Sequence, residues 1–96
     1  MNPVLSGAER TAALASLSGW TERDGGSSLA RDFVFRDFAE AFAFMTRVAL
    51  AAERLEHHPD WTNRWNRVEI TLTTHEAGGL TERDISLARE IDRAAK

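Results

Sequence analysis

Between Phe38 and Leu55 apolar residues recur at helical spacing for about five turns, and no other stretch limits the fold so strongly. Phe38, Ala41, Phe42, Met45, Val48, Ala49, Ala52 and Leu55 form the stripe, and Phe44 and Leu50 fall beside it and widen it. Asp37 and Glu40 supply a capped start, and Pro59 forbids continuation past the histidine pair that precedes it. A helix this apolar must bury itself against something. One small sheet is a narrow cover for so broad a face, which points to a contact with another subunit.

The flanking segments provide that sheet. Ser6-Gly7-Ala8-Glu9 has the form of a capping box, and Ala12, Ala13, Leu14 and Leu17 suit a short helix closed by Gly19. Trp20 to Arg23 and Leu29 to Phe35 read as two strands joined through Asp24-Gly25-Gly26. In the second strand, Phe33 and Phe35 lie opposite Asp32 and Val34. After the long helix, Trp61 to Trp65 and Arg67 to Thr74 read as two more strands. Val68, Ile70 and Leu72 face the core in the latter. Thr81-Glu82-Arg83-Asp84 caps a last helix, with Leu80 and Ile85 as a hydrophobic staple and Ala88, Ile91 and Ala95 on its buried side. The expected order is α-β-β-α-β-β-α. This is an α+β chain, a single domain over residues 1–96, with a four-stranded antiparallel sheet and helices packed on one face.

Composition removes several functional classes. The 96 residues contain no cysteine, which excludes disulfides, thiolate metal sites and sulfur redox chemistry and agrees with a cytoplasmic setting. A formal net charge of −3 offers no electrostatic attraction to nucleic acid. No apolar run approaches the ~20 residues of a membrane span. The start, Met1-Asn2-Pro3-Val4-Leu5-Ser6, lacks the basic and apolar regions of a secretory signal.

The chemistry concentrates where the long helix stops. His57 and His58 are adjacent there, and imidazole is the side chain whose ordinary pKa lies nearest neutrality. Glu53 stands four residues before His57, where a helix would put the two on one face. That spacing serves equally for a solvated surface pair. His75 follows the last strand, and strict alternation puts it on the side away from Val68, Ile70 and Leu72. It joins the other histidines only if the strand ends near Thr74 or the pocket lies at the strand's tip. Asp84 is expected in any case as a helix cap. Trp61 and Trp65 form either a stacking platform or part of the core. Three histidines also raise zinc as an alternative, but adjacent histidines are awkward ligands for one ion, so no metal is expected.

Taken together, these residues resemble the pterin-4a-carbinolamine dehydratase family. The pattern is Glu53, three residues, His57-His58-Pro59, five residues, Trp65, nine residues, His75, eight residues, Asp84. Arg47-Val48-Ala49-Leu50, His57-His58-Pro59-Asp60-Trp61 and Leu80-Thr81-Glu82-Arg83-Asp84 are similar to the family as well. The resemblance implies dehydration of 4a-hydroxytetrahydrobiopterin, or a related 4a-hydroxytetrahydropterin, to quinonoid dihydropterin and water, which recycles pterin for aromatic amino acid hydroxylation. It implies no cofactor. It assigns His57, His58, His75 and Asp84 to catalysis: His57 and His75 move protons, His58 mainly positions the substrate and Asp84 orients an imidazole. It places substrate contacts at Glu53, Glu56, Pro59, Trp61, Trp65, Thr73, Thr74 and Glu76. The family commonly has tyrosine or phenylalanine at position 65 and aspartate at position 56. The resemblance further implies a homodimer or homotetramer with no direct nucleic-acid or membrane partner. The competing class is a non-catalytic dimerisation or assembly module of the same fold.

Overall fold

The computed structural model describes residues 3–96, so Met1 and Asn2, the start of the segment read as lacking a secretory signal, lie outside the described residues. The elements follow in the expected order: α1 (Gly7–Ala15), β1 (Thr21–Arg23), β2 (Ser28–Val34), α2 (Phe38–Leu55), β3 (Asp60–Arg64), β4 (Arg67–Leu72) and α3 (Glu82–Ala94). Three capping arrangements start the helices. Ser6 and Glu9 form a reciprocal box at α1, Asp37 accepts from the Glu40 N–H at α2, and Thr81 and Asp84 form a second box at α3. Each satisfies backbone donors that the first helical turn leaves free.

The four strands form one antiparallel sheet in the order β1-β2-β4-β3. In register, Phe33 lies opposite Val68 and Ile70 opposite Trp61, so one sheet face is apolar and carries the helices. The other face presents Asp32, Thr62, Arg67 and Glu69, joined by side-chain contacts of Arg67 to Asp32 (2.7 Å) and Glu69 (3.2 Å). Between sheet and helices lie Leu29, Phe33, Val48, Ile70, Leu72, Leu80, Ile85, Leu87 and Ile91, all buried. Leu80 and Ile85, the two staple positions, are both in that core.

Two expectations change. The stripe on α2 is rotated: Phe44, read as lying beside it, is fully buried, whereas Phe38 and Phe42 are 48% and 55% exposed. The cause is packing. Phe44 shares the buried side of α2 with Ala41, Val48 and Ala52, and its ring meets Phe33 and Phe35 at centroid distances of 5.0 and 4.8 Å. Leu50 is 68% exposed, so α2 carries an apolar outer face on this chain. Trp65 is not a strand residue. β3 and β4 are closed by Arg64 opposite Arg67, leaving Trp65 and Asn66 as a two-residue loop. The first loop position takes φ 48°, a conformation that usually selects glycine. Asn66 fixes the loop by exchanging backbone and side-chain hydrogen bonds with Phe35.

Candidate active site

The end of α2 is built by an unusual residue. Glu56 adopts φ 53°, ψ 41°, its N–H bonds the Glu53 carbonyl, and the His57 N–H reaches back to the Ala52 carbonyl at 3.1 Å. These are the two bonds of a Schellman ending, with glutamate where glycine is favoured. The helix therefore stops at Leu55, before the histidines rather than after them. This overturns the expected Glu53–His57 alignment. Glu53 instead pairs with His58, Nε2 to Oε1 at 2.8 Å, and both side chains are largely exposed. Such an exposed pair contributes little to stability.

Turned inward by the same ending, His57 is buried and its Nε2 lies 2.6 Å from Asp84 Oδ1. Asp84 is wholly inaccessible. Its other oxygen accepts from the Thr81 N–H (2.9 Å) and the Thr74 hydroxyl (2.8 Å). Because Thr74 spends its hydrogen on Asp84, the Thr81 hydroxyl donates to Thr74 across 2.9 Å. Capping and holding an imidazole are thus performed by different oxygens of one carboxylate. With Asp84 as acceptor, His57 carries a hydrogen on Nε2, and Nδ1 is the ring nitrogen turned away from the carboxylate.

β4 ends at Leu72, and after Thr74 the chain makes a single 3-10 turn over His75–Ala77. That turn removes His75 from strand parity and brings it to the histidine pair. His57, His58 and His75 line one cleft of about 270 Å³ together with Glu56, Pro59, Asp60, Thr73, Glu76 and Arg83. His75 is exposed, with Nε2 3.4 Å from Asp60 Oδ2. Each imidazole thus faces its own carboxylate: Asp84, Glu53 and Asp60 respectively. The Glu76 carboxyl is held below its ordinary range, first by its own backbone N–H and then by the nearby Arg83 guanidinium, 3.0 Å away. Among the described residues no group of three or more His, Cys, Asp or Glu is arranged to hold a metal ion.

The other expected contacts divide. Thr74 is buried beneath the cleft as a support for Asp84 and does not line it. Trp61 points to the core side of the sheet opposite Ile70 and is half-buried. Trp65 is 63% exposed beyond the far end of β3, about 16 Å along the strand from Asp60. A larger concavity of about 480 Å³ lies near that end, lined by Thr62, Asn63, Arg64, Arg67 and Glu69, and contains no histidine. Asp60 and Arg83 line the cleft although neither stood out as a site residue. Their signal was adjacency: Asp60 follows His58-Pro59, and Arg83 precedes Asp84.

Comparison with known proteins agrees with this fold. A sequence model of the pterin 4 alpha carbinolamine dehydratase family matches residues 3–94. The chain belongs to this family. A relative from Afipia carboxidovorans, provisionally named a pterin-4-alpha-carbinolamine dehydratase, is 53% identical over 95 residues, covering 99% of this chain and 95% of the relative. Another, from Mesorhizobium japonicum and with the same provisional name, is 58% identical over 82 residues, covering 85% of this chain and 84% of the relative. The crystal structure of a Brucella melitensis protein described as a transcriptional coactivator/pterin dehydratase superposes with a TM-score of 0.93 at 46% identity, covering 97% of this chain and 99% of that one. A pterin dehydratase-like protein identified as a RuBisCO assembly factor in the alpha-carboxysome superposes with a TM-score of 0.69 at 27% identity, covering 80% and 89%. These two structures share the fold of this chain, while their descriptions range over pterin dehydratase, transcriptional coactivator and RuBisCO assembly factor.

Proposed function

We propose that residues 1–96 act as one domain that dehydrates a 4a-hydroxytetrahydropterin, 4a-hydroxytetrahydrobiopterin or a close analogue, to the quinonoid dihydropterin and water. The observation that carries this reading is the cleft with three imidazoles, each opposed by a separate carboxylate. The reaction asks for two proton transfers at neighbouring atoms. A proton is delivered to the C4a hydroxyl, the C4a–O bond breaks and water leaves. A base takes the N5 proton, and the N–H electron pair becomes the new C4a=N5 bond. No net electron is gained or lost, so histidine acid/base catalysis suffices and the chemistry calls for no redox cofactor or metal.

His57 and His75 move the protons. Asp84 fixes the His57 ring and its tautomer, which leaves Nδ1 as the exchanging atom. His58 mainly positions the pterin, with Glu53 restraining its ring, and Glu56, Pro59, Thr73 and Glu76 bound the ring system. Thr74 acts through Asp84. Trp61 and Trp65 do not share the cleft on one chain, so a stacking role for Trp65 would require a second subunit to bring it there. The exposed Phe38, Phe42 and Leu50 on α2 support a homodimer or homotetramer, and a cytoplasmic setting fits a chain without cysteine.

The second reading is a binding or assembly module. It is favoured by the assembly role named for one structural relative and by the same exposed α2 face. Single-turnover dehydration assays of His57→Ala, His58→Ala and His75→Ala separate the two. The enzyme reading expects His57→Ala and His75→Ala to lose rate by about 10²-fold or more, and His58→Ala chiefly to raise KM. Equal rates in all three variants and the wild type would favour the module.

A further inference from the structure

His75 owes its place to its backbone. Its side chain is 78% exposed, with the Asp60 carboxylate at 3.4 Å, so packing around the ring does little to hold it. The turn that carries it runs from Thr74 to Gly79. It is closed by the Thr74 N–H on the Gly79 carbonyl (3.2 Å) and the Gly78 N–H on the Thr74 carbonyl (3.0 Å). One foot of this turn is Thr74, fixed through its hydroxyl to Asp84, the carboxylate that also holds His57. Between the feet, Glu76 is tied to Arg83 of α3 at 3.0 Å. The other foot, Gly79, has no side chain with which to anchor itself.

The segment before α1 comes to that foot. The Leu5 N–H donates to the Leu80 carbonyl at 2.8 Å, and the Leu5 side chain packs against the core. This lays Val4 on Gly79: a β-carbon added there would stand 3.3 and 3.8 Å from the two Val4 methyls. The adjacent glycines therefore answer to different demands. Gly78 takes φ 79°, a conformation that favours glycine. Gly79 lies outside the left-handed region and is matched instead to the close approach of Val4. Nothing in the dehydration chemistry touches Val4 or Leu5.

We infer that Val4 and Leu5 form a strap that positions His75 for proton transfer. By bearing on Gly79 and Leu80 the strap sets where the turn stands, and with it the distance from His75 to His57, whose ring is fixed by Asp84. Rate is steep in such a distance: a misplacement of about 1 Å costs on the order of 10²-fold. This rests on the dehydratase reading and adds to it two positioning residues outside the cleft.

The test is a double-variant cycle on Val4→Ala and Gly79→Ala in the full chain. It is read by single-turnover dehydration and by the imidazole NMR signals, with His75→Ala assigning the His75 ring. Val4 is exposed, so its truncation leaves the core untouched. Val4→Ala frees the turn, and Gly79→Ala pushes it away from the Val4 methyls. Each alone should lower the rate by about threefold or more and shift the His75 signal while the His57 signal stays in place. Together, the new methyl at position 79 takes the space that Val4 vacates. The double variant should therefore return to within about twofold of the wild-type rate, with the His75 signal moving back. Losses that simply multiply in the double variant, or a His75 signal that moves in neither single variant, would overturn the strap and leave the dehydratase reading standing. A wild type that does not dehydrate the pterin would remove that reading, and the His75 signal would still decide whether the strap holds the turn.

Discussion

Asp84 is the residue on which the site depends most. It is fully buried and receives hydrogen bonds from Thr81, Thr74 and His57. Asp84→Ala would strand those donors, with an expected loss of about 2–4 kcal/mol in urea unfolding. Asp84→Asn keeps the shape and an acceptor oxygen but adds an N–H₂ beside the imidazole, so it should unfold closer to wild type while losing most dehydration rate. A variant of that kind with full activity would remove Asp84 from the mechanism. Glu56 offers a second residue-scale prediction. A β-carbon at φ 53° is strained, so Glu56→Gly should raise stability by about 0.5–1 kcal/mol despite the greater freedom of glycine when unfolded. An unchanged or lower urea midpoint would show that the glutamate side chain compensates the strain. The histidines and Asp84 could be picked out from the sequence because their types are uncommon and their spacing distinctive. Glu56 could not, because nothing in a glutamate announces a left-handed backbone. The wrong partner for Glu53 follows directly from that omission.

At the scale of elements, caps and stripes were the most legible features. Ser6, Asp37 and Thr81 start their helices as their side-chain chemistry requires. The rotation of α2 was hidden because phenylalanine at 38, 42 or 44 has equal hydrophobicity, and only the fit against the Phe33 and Phe35 rings decides which one is buried. Trp65 was misread for a related reason: a large aromatic favours strands, yet the register of Arg64 with Arg67 leaves it in the loop. The α2 cap also makes stability depend on acid. The Asp37 carboxyl is held below its ordinary value of 3.8, chiefly by the Glu40 N–H. Folded, it resists protonation more than unfolded, so its contribution is complete above that ordinary value and drains away as pH falls through the lowered one. Asp37→Asn still caps but does not titrate there. Its thermal midpoint should fall less steeply than wild type below about pH 4, and parallel acid limbs would contradict this.

For the whole molecule, the sheet order β1-β2-β4-β3 does two things at once. It sets β4 beside β3, so that Asp60 and the turn after Leu72 meet at the end of α2, and it leaves the outer side of α2 uncovered. Phe38, Phe42 and Leu50 are the exposed consequence. Phe42→Glu should therefore reduce the sedimentation mass of the proposed homodimer or homotetramer while leaving the circular dichroism of the chain intact. An unchanged mass would move the subunit contact elsewhere. The most direct measurement of the central claim is the rate at which freshly generated 4a-hydroxytetrahydrobiopterin loses water with and without the wild-type protein at neutral pH. The three-histidine cleft predicts acceleration over the spontaneous reaction, abolished in a His57→Ala, His75→Ala double variant. A wild-type rate equal to the spontaneous one would contradict it.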